Sequence, residues 1–174
     1  MAKTSNNWGG RREGAGRPPK GLISSEPHKK RESFSPKDPL HITLRLDPAV
    51  TGSKKQQLHE ALRASTLVVA KWEDFHIVHL GIRGDKVHLI VEAENKASLS
   101  RGMQAFQISA AKQLNRTISK HRTSRRRGRV FADRYRMEVL KSPKSVRDAL
   151  STTQPAEGLT VWTPRTVLLR RGVT

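Results

Sequence analysis

The sequence has no cysteine, only 15 acidic residues against 34 basic ones, and aromatic side chains at just 5% of its 174 positions. The first absence excludes disulfides and thiolate metal sites, and fits a cytosolic or nucleoid protein. Any metal would need histidine, carboxylate or amide ligands. The shortage of acids leaves a net charge of +19, so most basic side chains face solvent or a polyanion. The shortage of aromatics weighs against a module that stacks RNA bases on a sheet, and no RNP-like run is present. No apolar run approaches the roughly 18 residues needed to cross a bilayer. The N-terminus also lacks the apolar stretch of a secretory signal. Nucleic acid therefore stands ahead of a membrane as the partner.

What is present falls into three parts. Residues 1–37 are rich in glycine and proline, carry nine bases and three acids, and hold few large apolar side chains. Such a segment buries too little surface to offset its chain entropy, which predicts a disordered basic arm. Within it, Gly16-Arg17-Pro18 resembles the core of an AT-hook, in which an extended arginine enters a narrow minor groove; a plain solvated tail is the alternative. Residues 38–152 carry the periodic patterns of a folded domain, and residues 153–174 read as an irregular remnant.

Inside the domain, His41 to Leu46 alternates polar and apolar residues, as a half-buried strand does. Asp47-Pro48 and Gly52-Ser53 mark a turn. Lys54 to Ala70 places Leu58, Ala61, Leu62, Ser65 and Val69 on one helical stripe. Phe75 to Ile82 and Val87 to Ala93 are two β-rich runs across a Gly-Asp linker, a hairpin signal. Ser98 is the expected cap of a helix reaching His121, with Leu99, Met103, Phe106, Ala110, Leu114 and Ile118 on its apolar stripe. Val130 to Leu140 reads as a fourth strand, and Ser142-Pro143 opens a last helix that fails near Pro155. This order predicts an α+β, ferredoxin-like split βαβ fold: a four-stranded antiparallel sheet with helices on one face and the other face open.

The densest charge lies between Lys112 and Arg136, where ten bases accompany one acid. Arg125-Arg126-Arg127-Gly128-Arg129 is too charged for core, so Arg125, Arg126, Arg127, Arg129 and Arg134 are the expected phosphate contacts, with Arg17 reaching a groove. By period two, Lys86, His88, Ile90 and Glu92 share one face of a strand. His41 and His79 come near His88 only if the strand register allows it. Taken alone, His88 is better read as a hydrogen-bonded structural histidine than as a ligand, because its strand neighbour Lys86 is a cation.

Several runs together resemble the REP-associated tyrosine transposases, relatives of the HUH single-strand DNA transposases of bacterial insertion sequences. They are Phe75-His76-Ile77-Val78-His79 with Lys86 to Ala93, Leu99 to Gln104 with Leu114-Asn115-Arg116, and Gly128-Arg129-Val130-Phe131-Ala132-Asp133-Arg134-Tyr135, the most specific piece. The leader Gly9 to Pro18 and the late run Pro164 to Arg170 are similar to family segments as well. The resemblance implies that fold, a single-stranded or hairpin DNA partner, a role in DNA transposition, and Mg²⁺ or Mn²⁺ held by two histidines that flank one apolar residue. It also implies a tyrosine nucleophile on the helix after the fourth strand, and it allows a homodimer.

This chain departs from that pattern twice. The His-apolar-His motif falls on Lys86-Val87-His88, so only His88 carries over as a ligand. The stretch where the tyrosine belongs reads Ser151-Thr152-Thr153-Gln154-Pro155. Tyr135, the sole tyrosine, belongs to the strand signature and is expected to pack or to hydrogen-bond at the sheet edge; its use as nucleophile is the alternative. The expected function is thus a DNA-binding member of the family with impaired cleavage. An active nuclease with a non-standard site and an RNA-binding ferredoxin-like module remain as alternatives.

Overall fold

The structure, a computed structural model, describes residues 31–119 and 126–153. The basic arm up to residue 30, Arg17, Arg125 and the segment after Thr153 lie outside the described residues. Four strands, β1 (Leu40–Arg45), β2 (Phe75–Arg83), β3 (Lys86–Ala93) and β4 (Arg136–Val139), form one antiparallel sheet in the order β2-β3-β1-β4. Helices α1 (Pro48–Thr51) and α2 (Lys55–Thr66) link β1 to β2, α3 (Lys96–Ser119) links β3 to β4, and α4 (Pro143–Thr153) follows. This is the predicted split βαβ arrangement.

Alternation decides which side chains go inside. Leu40, Ile42 and Leu44 of β1 and Val87, Leu89 and Val91 of β3 are fully buried against α2 and α3. Helix α3 returns Leu99, Met103, Phe106, Ala110 and Leu114, the stripe its periodicity predicted. Each large apolar side chain buried this way contributes about 1.5–3 kcal/mol before entropy is set against it. Strand β2 needs one adjustment. Phe75 and Ile77 point into the core, and so do Leu80 and Ile82, which have the opposite parity. A bulge between Ile77 and His79 absorbs the extra residue, Val78, and puts both pairs on the same side.

The cap of α3 differs from expectation by one turn. Asn95 Oδ1 accepts from the Ala97 and Ser98 amides at 2.9 and 3.0 Å, while Ser98 Oγ accepts from the Asn95 amide at 2.9 Å. Asn95 is therefore the cap and Ser98 its reciprocal partner, a serine version of the capping box. The cap of α4 is as predicted, with Ser142 Oγ accepting from the Ser145 amide at 3.1 Å and Pro143 in the first turn.

Three expectations need amendment. The long predicted strand from Val130 is regular only over Arg136–Val139, because Val130, Phe131 and Tyr135 turn into the core and Phe131 bridges to Leu46. Helices α2 and α3 do share one face, but α4 lies on the other. Its Val146, Ala149 and Leu150 pack with Val78, Ile90 and Leu140 in a second, smaller apolar cluster. Ile90 is the apolar exception on the polar side of β3, and it gives α4 somewhere to dock. Residues 31–37, placed with the arm by composition, add Phe34 to the edge of the main core and set Arg31 4.0 Å over the Tyr135 ring.

Candidate nucleic-acid interface

Strand register lays the polar face out in rows. Arg83 of β2, Lys86 of β3 and Arg45 of β1 form one row; Gly81, His88, Thr43 and Arg136 form the next; His79, Ile90, His41 and Glu138 form the third. Helix α4 covers the β2 side of these rows. A Cβ on Gly81 would lie 2.0 Å from the Thr153 carbonyl oxygen, so only glycine lets the end of α4 settle there, one strand away from His88. The β1 and β4 side stays open as a cleft of about 370 Å³, lined by His41, Thr43, Arg45, Lys86 and His88 and closed by Asp133, Arg134, Arg136 and Glu138. The Ala132 amide donates to the Arg45 carbonyl at 2.8 Å, which fixes the segment carrying Asp133 and Arg134 at the cleft rim.

At the centre, His41 Nε2 and His88 Nδ1 are 3.2 Å apart, and the rings are nearly parallel with centroids 5.3 Å apart. Burial holds the His88 imidazole down to about pKa 4, helped by His41, Lys86 and Arg83. Burial also lowers His41, and Arg136 adds to that while Glu138 opposes it. Both rings are neutral at pH 7, with one proton shared along the line between them. Whichever tautomer holds, the pair keeps one outward N–H donor and one outward lone pair. His79 lies in the same row as His41 but on the α4 side, its Nδ1 buried with no partner among the described residues and its pKa lowered by burial.

The divalent metal implied by the resemblance is poorly served by this donor set. His88 has Lys86 where a second ligand of its own strand should be, and its other imidazole neighbour is engaged with it. Among the described residues no group of three histidines, cysteines or acids is placed to hold a metal ion. Arg45 and Arg136 raise the local positive charge further.

The other sequence-predicted residues scatter. Lys86, His88 and Arg134 meet in the cleft. Arg126 instead ties down the end of α3: its guanidinium donates to Asn115 Oδ1 and, at 2.9 Å, to the Arg129 carbonyl, while its amide donates to Ser119 Oγ at 2.8 Å. Arg127 is exposed, and Arg129 is exposed with an ion pair to Asp47 at 3.3 Å. Tyr135 sits in the main core, 7% exposed, and burial raises its phenol pKa against the pull of Arg31. Its phenol lies with the main core, away from the residues that line the cleft. Sequence reasoning had no firm place for His41 and passed over Thr43, Arg45, Arg136 and Glu138. The first three were marked by the polar half of the β1 alternation, whose apolar half was read as core.

The ferredoxin-like sheet thus has one face in the main core and a second face whose open part is lined mainly by cationic and imidazole side chains. Residues 39–147 match the family described as Transposase IS200 like, and the chain belongs to that family. A REP-associated tyrosine transposase solved in complex with a REP hairpin is similar in structure, with TM-score 0.50 and 14% identity over 74% of this chain and 70% of that one. A Deinococcus radiodurans protein assigned as a transposase shows TM-score 0.44 and 12% identity over 76% of this chain and 100% of that one. No curated protein matches the chain. Membership places the protein in the DNA-transposition class. Among the described residues no helix is long and apolar enough to cross a membrane.

Proposed function

We propose that this protein binds hairpin or single-stranded DNA on the second face of its sheet and is impaired in cutting it. The observation that carries this reading is the cleft itself. It offers Arg45, Lys86, Arg134 and Arg136 against Asp133 and Glu138, and the helix that flanks it ends in Ser151-Thr152-Thr153 with no phenol. The similar transposase bound to a REP hairpin supports the choice of a hairpin ligand. Covalent cleavage needs a nucleophile that reaches the phosphate, and the only tyrosine of the sequence is in the core. General acid–base help from a neutral imidazole is worth about 10²–10⁴-fold and does not replace that missing step.

The test uses a labelled hairpin with single-stranded flanks, in Mg²⁺ and in Mn²⁺. A mobility shift without an adduct on a denaturing gel is the expected result. A covalent adduct that disappears with Tyr135→Phe would overturn the reading, and so would the absence of any shift.

A further inference from the structure

Lys86 stands between two other cations. It is paired across the sheet with Arg83 on one side and Arg45 on the other, so three positive side chains form a row over three adjacent strands on the face that carries His88. Like charges set directly opposite one another work against strand pairing. A row of three gains nothing from folding and everything from an anion laid across it. Arg136, level with Thr43 and His88 in the next row, extends the same field toward β4.

The hydrogen-bonded, stacked histidine pair fits an anion as well. With one imidazole hydrogen-bonded to the other, a single N–H remains to donate outward, the group a phosphoryl oxygen accepts. A divalent cation in the same place would find one free imidazole lone pair, with Arg45, Lys86, Arg134 and Arg136 outnumbering Asp133 and Glu138 around it. Building on the DNA-binding reading above, we propose that this cleft seats a DNA backbone phosphate without a divalent metal. Lys86, Arg45 and Arg136 supply the neutralising charge, and the His41–His88 pair adds one N–H donor.

The closing experiment measures hairpin-DNA affinity of the full chain by fluorescence anisotropy in EDTA, Mg²⁺ and Mn²⁺ at matched ionic strength. The three affinities are expected to agree within about twofold. Lys86→Gln, at an exposed position, should weaken binding about five- to tenfold and flatten the log–log salt slope by about one. In a Mn²⁺ titration followed by electron paramagnetic resonance, the unaltered chain should leave the ion free. Lys86→His, which sets two imidazoles either side of Val87, should take Mn²⁺ up. Affinity that collapses in EDTA, or Mn²⁺ bound by the unaltered chain, overturns the metal-free seat. Lys86→Gln with unchanged affinity and slope removes Lys86 from the seat while the DNA-binding reading stands. No DNA binding in any buffer removes both.

Discussion

On one face of the sheet Leu40, Ile42 and Leu44 disappear beneath two helices, while one residue along, on the other face, His41, Thr43 and Arg45 remain half-buried around a cleft. The same six-residue strand supplies both sets, and alternation alone separates them. The apolar face gains from folding through area removed from water. The polar face is assembled at a cost, with two imidazoles kept neutral and three cations in one row. A protein retains such a face when something outside the fold compensates it. On the proposed DNA-binding reading, the contrast separates what holds this chain together from what it binds.

The largest expected effect falls on the apolar face. Phe106 is fully buried on α3, and Phe106→Ala should cost about 3–5 kcal/mol through lost burial and a residual cavity. Urea denaturation followed by circular dichroism measures it. Below its shifted midpoint, the folded variant should still bind the hairpin with near-native affinity. Affinity that falls in step with stability at low urea would mean that the two faces are not separable.

Next in size is a pH effect confined to the polar face. In the folded chain His88 resists protonation down to about pH 4, whereas a free histidine takes up its proton near 6.5. Between those values the unfolded chain binds a proton that the folded chain refuses. Stability is thus full above about pH 6.5 and declines as pH falls toward 4. His41 and His79, also lowered by burial, act in the same direction. Melting temperatures at pH 7 and pH 5 should differ more for the unaltered chain than for His88→Asn. Equal differences would show that His88 contributes nothing to the pH response.

The apolar face was largely legible in the sequence, and the polar face only in part. Leu99, Met103, Phe106, Ala110 and Leu114 were marked by a spacing that any buried helix must obey, whatever it packs against. His41 meets His88 only because Thr43 pairs with His88 and His41 with Ile90, and register is a property of two strands that neither strand carries alone. The bulge at Val78 was hidden for a related reason: a switch of parity from Ile77 to Leu80 signals it, but only once both are known to face one core. Arg126 shows the opposite error. Surrounded by arginines it reads as a phosphate contact, yet Asn115, Ser119 and the Arg129 carbonyl engage it in holding the chain against α3. Charge density locates a region that attracts anions; it does not say which of its members are already occupied.

The smallest effect bears most directly on the comparison. If the cation row is maintained for a ligand, removing its central charge should help the free protein. Lys86→Gln relieves the repulsion from Arg45 and Arg83 at an exposed position and leaves both faces packed as before. Its melting temperature without DNA should rise by about one or two degrees, a fraction of what 1 kcal/mol produces in a domain of this size. With saturating hairpin DNA the order should reverse, since the ligand stabilises the tighter binder more. That crossing of two melting temperatures distinguishes a charge kept for binding from one that is merely tolerated. A Lys86→Gln protein that melts lower in both conditions would mean that Lys86 supports the sheet itself, and the polar face would then be part of the structure it was contrasted with.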